Sequence, residues 1–174
     1  MKKVFTVLLS VLSLATLLVI GCSSSAEGEK VSKGDRIPAF SLKSNIYGSL
    51  DSEELKGKVT LICFFATWCP PCQLELAAVQ EELVPLLSEN EKFSLVVIGR
   101  EHTDEELEAY NQKKGFTFPL YPDPDRTVFN LFADKSIPRS YLVDENLKVV
   151  DMALGFEKDH FDKMKDKIKS LLKQ

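Results

Sequence analysis

The sequence VTLICFFATWCPPC at residues 59–72 decides the fold that we predict. Its first half, Val59 to Phe65, is a run of β-forming residues and is typical of a buried strand. The prolines after Cys69 favour the first turn of a helix, where backbone N–H groups have no helical partner. Apolar residues then recur at helical spacing (Leu74, Ala77, Ala78, Leu83). The segment is therefore predicted to be a strand, a Cys-x-x-Cys motif and a helix, with Cys69 at the helix N-terminus.

This placement gives the Cys-x-x-Cys motif a chemical role. Unpaired amides and the helix dipole stabilise negative charge, and such a site can lower a thiol pKa from about 8.5 to roughly 3.5–7.5. We predict that Cys69 attacks a disulfide as a thiolate and that Cys72, one turn into the helix, resolves the mixed disulfide. The motif could instead be half of a metal site, but there is no second pair and the 2 histidines are far apart in sequence. We therefore expect neither a metal nor a cofactor.

The N-terminus has the pattern of an export signal. Lys2 and Lys3 precede an uncharged, mostly apolar run that ends in Val-Ile-Gly before Cys22. This ending resembles the lipobox of bacterial lipoproteins, in which the cysteine is acylated and becomes the new N-terminus. A spanning anchor or an ordinary cleavable signal are the alternatives. We expect a lipoprotein signal peptide over 1–21, a flexible tether over 22–33 and one domain over 34–174, on a membrane and facing the periplasm or the cell exterior.

Composition restricts the class of partner. A chain of 174 residues has room for one domain of ordinary size, and a net charge of -4 without basic runs gives no surface for nucleic acid.

Cys63 lies inside the predicted buried strand, and free cysteine is among the most buried residue types. It is therefore given no redox role.

Hydrophobic patterning elsewhere predicts alternating elements. They are, in order, a small hairpin around Gly48, a helical turn at 51–56, a strand at 93–99, a helix at 103–115, an extended piece at 116–121, a helix at 125–133, a hairpin at 141–150 and a final helix with a core-facing stripe from Phe161 to Leu172. Pro85 is expected to kink or end the redox helix near Val84, with a short second segment to about Leu87. Strands and helices in alternation, followed by an antiparallel hairpin, predict an α/β fold with a mixed central sheet flanked by helices on both faces.

Two motifs resemble those of thioredoxin-like proteins. FFATWCPPC at 64–72 is similar to their active-site strand and helix, and SIPRSYLVD at 136–144 is similar to the segment that holds their cis-proline. The anchor, the N-terminal β-hairpin and an extra β–α insertion after the redox helix resemble the membrane-tethered TlpA/ResA group. The resemblance implies a thioredoxin-like fold and a monomeric protein disulfide oxidoreductase that acts as a reductase. It would take electrons from a transmembrane thiol donor and pass them to exported proteins, including apocytochromes c during biogenesis.

The resemblance also implies a substrate-binding surface. It predicts a cis peptide between Ile137 and Pro138, packed beside the cysteine pair, which leaves the backbone of Ile137 free to pair with an extended substrate. The alternative is a trans proline that interrupts a loop before a strand. Trp68, Pro70 and Pro71 would line the same surface.

Two positions depart from the ordinary thioredoxin pattern. The buried Asp that lies six residues before the first cysteine in thioredoxin is replaced by Cys63, whereas the ResA-like pattern places an acid three residues after the second cysteine, which is Glu75. Residues i and i+3 share a helix face, so Glu75 is predicted to be the general base for Cys72; the alternative is a solvated helix charge. His102 follows a central strand and is predicted to line the substrate groove, or else to be an ordinary loop residue.

Two other functions remain open on the sequence. A thiol peroxidase shares the fold but needs a Pro-x-x-x-Thr-x-x-Cys loop, whereas Thr67 precedes Cys69 by only two residues. A non-catalytic chaperone with a redox fold, for example for a haem-attachment substrate, would not need both cysteines. A disulfide reductase or isomerase fits the motifs best, and its natural substrate and direction are not given by residue types.

Overall fold

The computed structural model describes residues 28–173. The predicted signal peptide over 1–21 and the lipidation site Cys22 lie outside these residues. Within the described range, no helix is both long enough and apolar enough to cross a membrane.

A five-stranded mixed sheet forms the centre of the domain. Its strands are β3 (Val59–Phe65), β4 (Phe93–Arg100), β5 (Leu120–Asp123), β6 (Arg139–Val143) and β7 (Val149–Leu154). They lie side by side in the order β5-β4-β3-β6-β7. β3 is parallel to β4 and antiparallel to β6, and every residue of β3 is buried. Apart from Thr60, β3 is apolar, as expected for a strand that is covered on both faces.

Helices and a small hairpin cover the two faces of the sheet. The helices are α1 (Pro70–Ala78), α2 (Val84–Glu89), α3 (Asp104–Lys114), α4 (Phe129–Phe132) and α5 (Lys158–Leu171), and a π-helical turn (Val79–Leu83) joins α1 to α2. The hairpin is β1 (Ser41–Ser44) with β2 (Gly48–Asp51), followed by a 3₁₀ turn (Ser52–Leu55). One hydrophobic core contains residues of α1, α3 and α5, and the other contains residues of α4 and the hairpin. The predicted fold class is confirmed, with α3 and β5 forming the additional segment after the first β–α–β unit.

The segment after β5 differs from its prediction. The helix expected over 125–133 is confined to α4, because Arg126 has a positive φ of 57° and the Asp123 carboxylate caps the backbone N–H groups of Val128 and Phe129. The extended piece expected over 116–121 is likewise displaced to β5. Local apolar spacing did not reveal the cap, since Asp123 precedes α4 by several residues.

The predicted tether over 22–33 is wrong for residues 28–33. Val31 is buried in the core beneath the hairpin, and the backbone N–H of Lys30 donates to the carbonyl of Phe132 at 2.9 Å. Glu29 forms a β-bridge with Ala133. The burial of Val31 and these backbone hydrogen bonds together hold the segment, so the folded domain includes residues from Gly28 onward.

Candidate active site

The pairing of three strands brings three loops to one edge of the sheet. Phe65 at the end of β3 lies beside Gly99 near the end of the parallel strand β4. Phe64 lies beside Arg139, the first residue of the antiparallel strand β6. The loops at 66–69, 101–103 and 136–138 therefore meet where α1 begins.

The cysteine pair lies at the predicted helix N-terminus. Cys69 is the N-cap of α1, where its Sγ accepts a hydrogen bond from the backbone N–H of Cys72 at 3.3 Å. The two residues form a disulfide with a Cα–Cα distance of 5.3 Å; Cys69 is 4% exposed and Cys72 fully buried. Within residues 28–173, no three His, Cys, Asp or Glu side chains are grouped so that they could hold a metal ion. The arrangement suits thiol–disulfide exchange, in which one sulfur of the pair forms a mixed disulfide and the other resolves it.

The cis peptide between Ile137 and Pro138 is confirmed. The carbonyl oxygen of Ile137 lies 4.0 Å from the Sγ of Cys69, beside the disulfide. A carbonyl in this position is available to an extended peptide whose own disulfide approaches Cys69.

Exposed apolar residues lie next to the cysteine pair in the sequence. Trp68 is 61% exposed, Pro70 and Pro71 are also exposed, and the Arg100 guanidinium lies 5.8 Å from the centre of the indole ring. Leu74 is 62% exposed, although helical spacing placed it on the core-facing side. The buried side of α1 consists of Cys72, Glu75 and Leu76 instead. Leu74, two residues after Cys72, is thus an exposed apolar residue that sequence reasoning missed, because apolar periodicity assigned it to the core.

Glu75 is buried in α1, one helical turn after Cys72, so its interpretation as a solvated helix charge is wrong. It is 4% exposed, and the Ser140 hydroxyl donates to its Oε1 at 2.5 Å. Its Oε2 has no hydrogen-bond partner among the described residues. Burial raises the pKa of Glu75 from 4.5 to about 7, and the Ser140 hydrogen bond partly opposes this rise. A carboxyl group with this pKa can both accept and release a proton near neutral pH.

Ser140 connects Glu75 to the third cysteine of the domain. Its Oγ lies 3.4 Å from the Sγ of Cys63, to which it is paired in register across β3 and β6. Burial and the neighbouring Glu75 carboxyl raise the pKa of the Cys63 thiol well above 9.0. Cys63 therefore stays a protonated thiol in the core. No local sequence pattern indicates Ser140, because its contacts depend on strand register.

His102 does not line a groove, and this prediction is wrong. Its side chain is 6% exposed, and both ring nitrogens face groups of the protein. The backbone N–H of Thr67 donates to Nε2 at 3.0 Å, and Nδ1 lies 3.3 Å from Oε2 of Glu106. The register of β4 with β3 turns the imidazole toward the active-site loop rather than toward solvent.

Several known proteins with similar sequences are named thiol–disulfide oxidoreductases. The ResA thiol-disulfide oxidoreductase of Bacillus subtilis is 28% identical over 129 residues, which cover 73% of this chain and 70% of that protein. The ResA of Bacillus anthracis is 27% identical over 130 residues, covering 75% and 74%. The sporulation thiol-disulfide oxidoreductase A of Bacillus subtilis is 26% identical over 155 residues, covering 88% and 90%.

Solved structures have the same fold. A candidate protein disulfide isomerase of Bacteroides thetaiotaomicron superposes with a TM-score of 0.81 at 27% identity, over 86% of this chain and 96% of that one. A thiol:disulfide interchange protein of the thioredoxin family from Chlorobium tepidum gives a TM-score of 0.66 at 25% identity, over 81% and 98%. The model of the AhpC/TSA family matches residues 33–152. Since this match includes both cysteines of the motif, Glu75 and the cis-proline and extends over most of the described domain, the protein belongs to the AhpC/TSA family and has the thioredoxin-like fold.

Proposed function

We propose that this protein is a lipid-anchored thiol–disulfide oxidoreductase that reduces disulfides of exported proteins. The observation that carries the proposal is a disulfide at the N-terminus of α1, followed one helical turn later by a buried carboxyl group with a pKa of about 7. The names of the sequence relatives support the same class of reaction.

Cys69 would make the first attack. In the reduced protein its thiolate is stabilised by the N-terminal amides of α1, including the N–H of Cys72 that faces its sulfur in the disulfide form. The thiolate forms a bond to one sulfur of the substrate disulfide, and the other substrate sulfur leaves as a thiolate that takes up a proton. The product is a mixed disulfide between Cys69 and the substrate.

Cys72 would resolve that intermediate with help from Glu75. The Cys72 thiol is buried, and desolvation opposes its ionisation. The free Oε2 of Glu75 can take the proton, after which the Cys72 sulfur attacks the Sγ of Cys69. The second substrate sulfur leaves as a thiolate, and the Cys69–Cys72 disulfide is formed. The enzyme has then lost two electrons and the substrate has gained them.

The exposed apolar surface would hold an extended segment of the substrate. Trp68, Pro70, Pro71 and Leu74 offer apolar contact around the disulfide, and the Ile137 carbonyl can accept a backbone hydrogen bond. These contacts do not select a sequence, which suits a reductase that acts on several exported proteins, including apocytochromes.

The N-terminal residues would place the reaction outside the cytoplasm. A signal peptide over 1–21 and an acylated Cys22 would hold the domain at the membrane surface, where disulfides form and persist. Since the oxidised form must be reduced again there, we assign a transmembrane thiol carrier as the electron donor.

Reduction of insulin by dithiothreitol, with and without the protein, tests the reaction. We expect acceleration by the wild type and none by the Cys69→Ser variant. Equilibration with glutathione tests the direction: a reduction potential near the value of about −270 mV found for thioredoxin supports a reductase, and one near about −120 mV, as in DsbA, contradicts it. Faster consumption of hydrogen peroxide than of insulin disulfides would favour the thiol peroxidase, and binding without turnover would favour the chaperone.

A further inference from the structure

The peptide groups of Thr67, two residues before Cys69, are held from both sides by side chains. The backbone N–H of Thr67 donates to Nε2 of His102 at 3.0 Å. Its carbonyl accepts a hydrogen bond from Nε2 of Gln73 at 2.9 Å. Both contacts are made to the backbone of Thr67 and not to its side chain. They therefore fix the path of the loop and do not depend on which side chain stands at position 67.

The contact to Thr67 determines the protonation state of His102. A backbone N–H can only donate, so Nε2 has to be the acceptor and carries no proton. The proton of the neutral ring is then on Nδ1, which lies 3.3 Å from Oε2 of Glu106. The same Glu106 oxygen accepts the backbone N–H of Thr103 at 2.9 Å, which fixes the carboxylate in front of the ring. The geometry thus requires a neutral imidazole with its proton on Nδ1.

Helix α3 stabilises both of these contacts. Glu106 lies in its first turn and orients His102, and Lys114 at its end donates to Oε1 of Gln73 at 3.0 Å. Oε1 of Gln73 therefore accepts from Lys114 while Nε2 donates to Thr67. α3 is in this way connected to the active-site loop at two points, through His102 and through Gln73.

The loop that is held in this way positions Cys69. The backbone N–H of Cys69 donates to the carbonyl of Ala66 at 3.1 Å, which closes a turn around Thr67 and Trp68. The same turn sets where the Cys69 sulfur lies relative to the N–H of Cys72, 3.3 Å away. A rotation of the peptide groups of Thr67 would displace both.

We infer that His102 is a positioning residue that, together with Gln73, clamps the peptide groups of Thr67 and so fixes Cys69 at the helix N-terminus. This inference rests on the proposed function, since it assigns to His102 a part in the attack by Cys69. Among the described residues, the hydrogen bonds of the His102 ring go to Thr67 and Glu106 and not to either cysteine, so His102 acts through the loop.

Two substitutions of His102 separate the hydrogen bond from simple packing. His102→Leu fills the same space without an acceptor, whereas His102→Gln can place an amide oxygen near the position of Nε2. In the reduced protein we expect the alkylation rate of Cys69 by iodoacetamide to fall about tenfold or more in His102→Leu, because small displacements of a reacting group are costly. His102→Gln should restore most of the rate. Glu108→Ala, on the exposed side of α3, is the matched control and should be unchanged.

Equal losses in the leucine and glutamine variants, or no loss in either, would overturn the inference. If His102→Leu does not fold, Gln73→Leu tests the other side of the clamp. Gln73→Leu should also slow the alkylation of Cys69, and a wild-type rate in this variant would count against the clamp.

A spectroscopic measurement on the wild type is independent of any variant. Long-range ¹H–¹⁵N correlation spectra distinguish a ring with its proton on Nδ1 from the tautomer with its proton on Nε2. We expect the Nδ1 form for His102, and the Nε2 form or a doubly protonated ring at neutral pH would refute the geometry. Alkylation and these spectra need no protein substrate, so failure of wild-type protein to reduce insulin would contradict the proposed function while leaving the clamp to be judged on its own results.

Discussion

The substitution Glu75→Gln removes a carboxyl group whose ionisation is disfavoured in the folded protein. Its effect on the free energy of unfolding can be worked out from the structure. The pKa of Glu75 in the folded protein is about 7 instead of 4.5, chiefly because burial disfavours the carboxylate. One pH unit of such a difference is worth about 1.4 kcal/mol. The ionised side chain therefore disfavours the folded state by about 3 kcal/mol once the pH is well above 7.

The sign of the pH dependence follows from proton binding. Between pH 4.5 and about 7, Glu75 is protonated in the folded protein and ionised in the unfolded chain. The folded state binds more protons, so its stability falls as the pH rises through this range. Glutamine is neutral at every pH and can keep a hydrogen bond to Ser140. We expect the oxidised variant to match the wild type well below pH 4.5 and to be more stable by about 3 kcal/mol above pH 7.

Urea unfolding of the oxidised proteins across this pH range measures the difference directly. All other ionisable groups are common to both proteins, so the difference between their stabilities isolates Glu75. Glu81→Gln is the control, because it changes an exposed glutamate of the π-helical turn. Its free energy of unfolding, plotted against pH, should run parallel to that of the wild type. A Glu75→Gln curve that also runs parallel to the wild type would refute the raised pKa, and a variant that is less stable at every pH would show that glutamine does not fit the site.

Further predictions concern the reaction and the anchor. Trapping with a disulfide substrate should accumulate a covalent adduct in Cys72→Ser and none in Cys69→Ser; the reverse pattern would exchange the two roles. Glu75→Gln should leave the first attack nearly intact and slow resolution of the mixed disulfide by roughly 10²–10⁴-fold, as loss of a general base does. An unchanged pH–rate profile in that variant would exclude Glu75 as the base. Cys22→Ser should move the protein out of the detergent phase on fractionation of cells, and a variant that stays with the wild type would indicate a spanning helix.

Much of the fold followed from local patterns. The apolar run of β3 and the prolines after Cys69 predicted a buried strand and a helix start, and both are confirmed. The capping box at Thr103 and the stop at Gly115 gave the bounds of α3, because these signals act within a single turn of backbone. The bounds of α4 were not predicted, since its start is fixed by the carboxylate of Asp123 in the preceding strand.

The candidate site was predicted in part for the same reason. The position of Cys69 at a helix N-terminus is a local property, and the disulfide with Cys72 lies within one turn. A resemblance in sequence, rather than spacing, supplied the cis peptide before Pro138. The exposure of Leu74 was missed, because periodicity assigned the apolar residues of α1 to the core, whereas Glu75 lies there.

By itself, the sequence determined which residues can do the chemistry: two thiols at a helix start and an acid one turn later, since hydrogen bonds and dipoles within one helix depend on neighbours in the chain. Only the tertiary structure decided how these groups behave. The pairing of β3 with β6 put Ser140 beside Cys63 and Glu75, and burial between α1 and the sheet raised the pKa of Glu75 to about 7. The pairing of β3 with β4 turned His102 inward onto Thr67. Strand register and desolvation depend on residues that are far apart in the chain, so no local sequence pattern predicts their effects.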